Sequence, residues 1–242
     1  MKKKFIILLL ATLPSAVLWA QGQYGSWTTI SLEKELSKKW ELGAEAEVRT
    51  IYYARLIERA SLGLSADYTI LKGWKVGAGY QIMNKLDTKY TNYQLRNRFN
   101  VSTSGRLKFN DLTISLRERI QFTTKDESKR IRDDQTIDTY KINPEWKWRN
   151  RLQLSYNIPN CKITPTVSVE SNFQLNNPDG NHFDKMRYVL SLGYKIKKVH
   201  LIEVFGVLDD EFETGEAGEI ISSSDDDVYG KYNLGIGYKY SF

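Results

Sequence analysis

Apolar residues recur at every second position along most of this chain. In the last eleven residues, Tyr232, Leu234, Ile236, Tyr238, Tyr240 and Phe242 alternate with Asn233, Gly235, Gly237, Lys239 and Ser241. A period of two gives an extended strand one apolar and one polar face. The same pattern runs through 40–52, 62–70, 74–82, 93–101, 112–116, 146–156, 163–169 and 186–196, and less regularly through 199–208. No stripe of helical period interrupts it. Ten strands follow from Trp40 onward, and the last has the full length that crosses a bilayer when tilted. The segment Trp27–Leu36 also alternates and brings the number to eleven, which bacterial single-chain barrels avoid. Either it lies inside or beside the others, or a further strand is hidden between Thr123 and Asn143. The range is ten to twelve.

The connections sort into two kinds. Short ones lie at 37–39, 71–73, 110–111, 157–162 and 197–198; longer ones lie near 53–56, 84–91, 123–143, 175–183 and 209–227. Their strict alternation is that of an all-β, transmembrane antiparallel β-barrel, with turns in the periplasm and loops outside. Trp40, Trp74, Tyr238 and Tyr240 stand at strand ends, where an interfacial aromatic girdle belongs. The terminal strand resembles that of Gram-negative outer-membrane barrels. The resemblance makes Tyr238, Tyr240 and Phe242 the assembly signal, read by the barrel assembly machinery. At the other end, Lys2, Lys3 and Lys4 precede an apolar run from Phe5 to Leu13, with a cut expected before Gln21. Residues 1–20 thus read as a cleaved signal peptide and 21–242 as one barrel in the cell outer membrane.

Three of the 35 basic residues leave with the leader, so the formal charge of +6 falls to +3. The remaining charges alternate with apolar residues instead of clustering, which excludes nucleic acid as a partner. Lipid and lipopolysaccharide are the expected surroundings; other protein partners are not specified by the sequence. Cys161 is the only cysteine and no internal disulfide is possible. No cofactor is expected, nor a metal site.

Trp27, the run Ser31-Leu32-Glu33-Lys34, Leu36, Lys39-Trp40, Leu42 and Glu45-Ala46-Glu47-Val48-Arg49 resemble the opening of an outer-membrane family known as domain of unknown function 2490. Arg117-Glu118-Arg119 and the closing Tyr238-Lys239-Tyr240-Ser241-Phe242 fit it as well. A His common near the start of that family's last strand is replaced here, where Tyr229 and Lys231 stand. The resemblance implies a barrel and supplies no activity.

If the apolar stripe faces lipid, parity turns the charges inward. Glu41, Glu45, Glu47 and Arg49 come from the first third, and Arg96, Arg98, Arg117, Arg119, Arg149 and Arg151 from the middle. An acidic wall then faces an arginine wall. The first reading is a charge network that fills the lumen of a structural or scaffolding barrel, since small barrels are filled by side chains. The alternative is a narrow channel for small anionic solutes. An outer-membrane enzyme, with His182 beside Asp184 near Ser171, comes third, and the chain is read as having no catalytic residue. Glu118 breaks the parity between Leu116 and Ile120, and predicts a bulge or a place near the rim. The nine acids between Asp209 and Asp227 form a solvated loop or a divalent-cation site, and Lys129-Arg130-Ile131-Arg132 either pair with them or touch lipopolysaccharide. One test follows from the ending alone. Deleting Phe242, or replacing Tyr240 and Phe242 by Ser, should leave a protease-sensitive chain in the periplasm; normal heat-modifiable migration on gels would refute this.

Overall fold

The computed structural model describes residues 24–197, 199–214, 220–222 and 231–242. The leader, most of the acids beyond Thr214 and Tyr229 lie outside them. The strands are β1 (Tyr24–Glu35), β2 (Trp40–Ile51), β3 (Leu56–Leu71), β4 (Trp74–Asp87), β5 (Asn92–Phe109), β6 (Leu112–Lys125), β7 (Glu145–Tyr156), β8 (Ile163–Gln174), β9 (Phe183–Ile196), β10 (His200–Thr214), β11 (Ile220–Ser222) and β12 (Lys231–Ser241). Each strand from β1 to β10 pairs antiparallel with the next; β12 pairs with β10 on one side and β1 on the other. The three-residue β11 only extends the tip of β10. The result is a closed barrel of eleven strands.

The odd number is resolved at the seam. β1 runs parallel to β12, from Tyr24 opposite Tyr232 to Glu33 opposite Ser241. Trp27–Leu36 is therefore neither inside nor beside the barrel but part of its wall, and 123–143 holds no further crossing strand. A parallel pair satisfies backbone groups as an antiparallel one does, and in lipid that is the requirement. At the short-turn end the Phe242 N–H donates to Glu33 O at 2.9 Å and the Glu35 N–H to Phe242 O at 3.1 Å. An ion pair of 2.6 Å between Lys239 and Glu33 closes the same corner from inside. Tyr240 stacks on Phe242 with ring centroids 5.2 Å apart.

The burial pattern is that of a globular protein turned inside out. Leu62 and Leu64 are 64% and 66% exposed, while Gln94, Gln121 and Glu170 are buried. Alternation places the apolar set outward and the polar set in the lumen. Glu118 obeys the parity without a bulge. It stands opposite Thr103 and Asn150 in unbroken ladders, near the middle of β6, and its carboxylate accepts the Trp148 indole N–H at 2.8 Å. The expected bulge or rim position is corrected: the hydrogen bond from Trp148 offsets part of the cost of an outward carboxylate.

The weak alternation of β10 also has a cause. Leu201, Phe205 and Val207 point inward beside Glu203, Asp209 and Glu211, so the inward face of the strand is itself partly apolar. Phe205 lies over Gly235 of β12 and meets Trp27 of β1 edge-on, with centroids 5.5 Å apart. A Cβ on Gly235 would fall 2.1 Å from the Phe205 ring, whereas one on Gly206 would meet nothing within 4 Å. Gly235→Ala should thus destabilise the barrel by about 1–3 kcal/mol through overpacking, and Gly206→Ala should be tolerated. The temperature at which folded migration is lost on gels checks this, and equal shifts for the two variants would refute it.

Candidate functional site

The lumen is a cavity of ≈ 2130 Å³ whose lining runs from one end of the barrel to the other. Tyr52, Lys85 and Arg96 border it at the long-loop end, and Lys108, Asn157, Lys195 and Ser241 at the short-turn end. Eight strands enclose a space that side chains just fill; eleven enclose more.

Of the residues assigned inward by parity, Glu45, Glu47, Arg49, Arg96, Arg98, Arg117, Arg119, Arg149 and Arg151 all line the cavity. Glu41 sits below it and holds Lys75 at 2.8 Å. The acids do not pair across the barrel, as a filled lumen requires. They pair along the wall with bases on their own strand or within two strands of it. Glu47 binds Arg49 at 3.0 Å and Arg59 at 2.5 Å. Glu170 binds Arg149 at 2.5 Å and Arg117 at 3.2 Å. Asp209 binds Arg187 at 2.6 Å and Lys185 at 3.4 Å. Because each pair lies flat against the strands, the centre stays open. Trp27 is the large aromatic that parity alone did not single out as a lining residue; the Arg49 guanidinium lies 3.2 Å from its ring centroid.

Along this wall a set of bases has no carboxylate partner among the described residues. Arg98 reaches only Thr123 and Gln81, each at 3.3 Å, and Arg96 only the Tyr140 hydroxyl at 3.3 Å. Arg119 and Arg151 are in no ion pair, and their Nε atoms are buried without a hydrogen bond. Sixteen Lys or Arg and ten Asp or Glu side chains line the cavity among the described residues. The interior is therefore net positive.

The loop from β6 to β7 covers part of the long-loop rim. Arg130 binds Asp87 at 2.8 Å and Arg132 binds Asp138 at 2.5 Å. Among the described residues these bases are taken up within their own rim; the acidic loop expected as their partner lies mostly outside those residues. Asp209 and Glu211 belong to the wall of β10 and not to the loop assigned to them, and both engage Lys185. Tyr140 holds the loop down, its hydroxyl donating to Asp87 at 2.9 Å and its ring lying 3.9 Å from the Arg130 guanidinium. His182 turns to Gly180 O at 3.1 Å, while Asp184 pairs with Lys147, so no His–Asp dyad forms. His200 bonds the Tyr238 hydroxyl at 2.8 Å. No cluster of three metal-ligating side chains occurs among the described residues.

Hydrogen bonds from Tyr90, Lys89 and Arg132 hold the Asp138 carboxyl well below the ordinary aspartate value of 3.8. A depressed folded value means the contribution is complete above that ordinary value and is lost as pH falls through the folded one. Asp138→Asn should therefore open the loop to trypsin at Lys129 and Arg132 at neutral pH, where the wild type resists. The two proteins should converge only in strong acid. Equal cleavage at pH 7 would refute the role of Asp138.

Three comparisons bear on this barrel. Among curated proteins, none matches the chain. Among solved structures, the NanC porin superposes with a TM-score of 0.54 at 13% identity, over 91% of this chain and 98% of that one. OmpT, an outer membrane protein of Vibrio cholerae, gives 0.39 at 13% identity over 85% and 62%. An anion-selective porin from Comamonas acidovorans gives 0.37 at 10% identity over 86% and 55%. The first supports the fold; the other two are too distant to add to it. The model of the family described as protein of unknown function DUF2490 matches residues 24–215, most of the chain, and the protein belongs to that family.

Proposed function

We propose that the protein is an outer-membrane channel through which small anions pass in preference to cations. One observation carries the reading: a row of bases without carboxylate partners lines an open cavity along its length. Arg96 and Arg98 stand toward the long loops, Arg119 and Arg151 at mid-height, and Arg106 and Lys108 toward the short turns. Wall ion pairs neutralise most of the acids locally, so a solute in the centre meets the surplus positive charge. Fixed charge rings at close quarters set the sign of the ions that a pore admits. The guanidiniums keep their charge at any physiological pH.

In this reading the short turns lie in the periplasm and the long loops outside, in contact with lipopolysaccharide. The aromatic residues Tyr238, Tyr240 and Phe242 present the outward face that the assembly machinery recognises. The likeness to the NanC porin agrees with a porin-like role without specifying a solute.

Planar-bilayer recording tests the proposal. Wild type should give stepwise conductance with a reversal potential shifted toward that of the anion in a salt gradient. Replacing Arg119 and Arg151 by Ser removes two free charges while leaving the Glu170 pairs intact, and should lower the anion-to-cation permeability ratio several-fold. Silence of the folded wild type would restore the structural, non-conducting barrel. Cation selectivity would overturn the proposal outright.

A further inference from the structure

Within the lumen, four guanidiniums lie on neighbouring ladder positions around one carboxylate. Arg117 stands opposite Arg151 and Arg119 opposite Arg149 on the ladder between β6 and β7, and Glu170 stands opposite Arg151 on the next. Glu170 engages Arg117 and Arg149. It leaves the other diagonal, Arg119 and Arg151, without an anionic partner among the described residues. The two engaged arginines are thereby fixed, and Arg149 is fixed further by the Gln121 amide oxygen at 3.0 Å. Neutral groups that donate or accept hydrogen bonds surround the square: Ser115, Gln153, Ser168 and Asn172 all line the same cavity.

Guanidinium recognition is geometric as well as electrostatic. A planar fork matches two oxygens of a carboxylate or phosphate, whereas chloride is held by charge alone. Buried guanidinium N–H groups without partners carry a standing cost that a ligand with several acceptor oxygens removes. From these facts we infer that Arg119 and Arg151 form an oxyanion-binding subsite at mid-lumen, built for carboxylate- or phosphate-bearing solutes and not for simple halides. The inference deepens the channel reading, but binding is a property of the wall and does not require that the lumen conduct.

Two measurements on the full-length barrel test it, with inorganic phosphate as the probe. In detergent micelles, phosphate should raise the thermal unfolding midpoint above that in chloride at equal ionic strength, saturating as site occupancy does. The increment should vanish in the Arg119→Ser, Arg151→Ser double variant and persist in Lys108→Ser, which removes a lumen charge outside the square. Folded migration on gels establishes that each variant forms a barrel. In bilayers, phosphate added to a chloride solution should reduce the chloride current in wild type at least tenfold more effectively than in the double variant. Stabilisation by phosphate in a barrel that does not conduct would uphold the subsite and refute the channel. Anion-selective conductance with no phosphate effect in either assay would uphold the channel and refute the subsite. Retention of the phosphate effect in the double variant, or its loss in Lys108→Ser, would refute the assignment to Arg119 and Arg151.

Discussion

A sheet in hydrocarbon has no free edges. Every N–H and C=O that water would otherwise satisfy must find a partner within the chain. For this protein that requirement decides the strand number, because β1 has an apolar outward face and an unpaired edge of its own. Pairing it parallel to β12 closes the circle with eleven strands. Antiparallel neighbours elsewhere put the two ends of the strand path at opposite rims, so only a parallel seam can join them. The seam is then reinforced from the lumen face, by the Lys239–Glu33 ion pair at one end and by Trp27, Phe205 and Gly235 along its length.

Closure at eleven strands also determines what the interior can be. The circumference is too large for side chains to meet across the middle, so the paired carboxylates find their partners along the wall, on the same strand or within two strands. Desolvating an ion is costly unless a counter-ion and hydrogen bonds replace water. The nearest counter-ions are lateral, as Glu47 and Glu170 illustrate, each bridging two arginines. Bases outnumber acids along the lining, so lateral pairing engages most of the acids and still leaves bases over. Uncompensated positive charge is what remains for a solute to meet.

Much of this was legible in the sequence, and the misses have physical reasons. Period-two alternation identifies a strand and divides its residues between two faces, and every arginine assigned inward lines the lumen. Alternation carries no information on the partner of an edge strand, which is why Trp27–Leu36 could not be placed. Nor does it distinguish pairing along the wall from pairing across it, since both use the same inward residues. β10 read as irregular because its inward face packs against Trp27 and a glycine instead of water. Glu118 read as a bulge because the hydrogen bond that supports it comes from Trp148, thirty residues away in sequence. The engagement of Arg130 and Arg132 by Asp87 and Asp138 was not legible, because the folding of a loop back onto its own rim leaves no periodic trace.

The triplet Arg117-Glu118-Arg119 brings these constraints to one place. Its outer members point into the lumen and its middle member points away, so three consecutive charges never form a local ion pair. In a loop free to turn, Glu118 is able to reach one of its neighbours. The strand forbids this by geometry, because successive side chains leave opposite faces. Arg117 is satisfied instead by Glu170, two strands away, and Arg119 by no carboxylate among the described residues. The cost of Glu118 outside and the free charge of Arg119 inside therefore share one origin. A carboxylate that would compensate the arginine wall is held on the wrong side of it by the pleat.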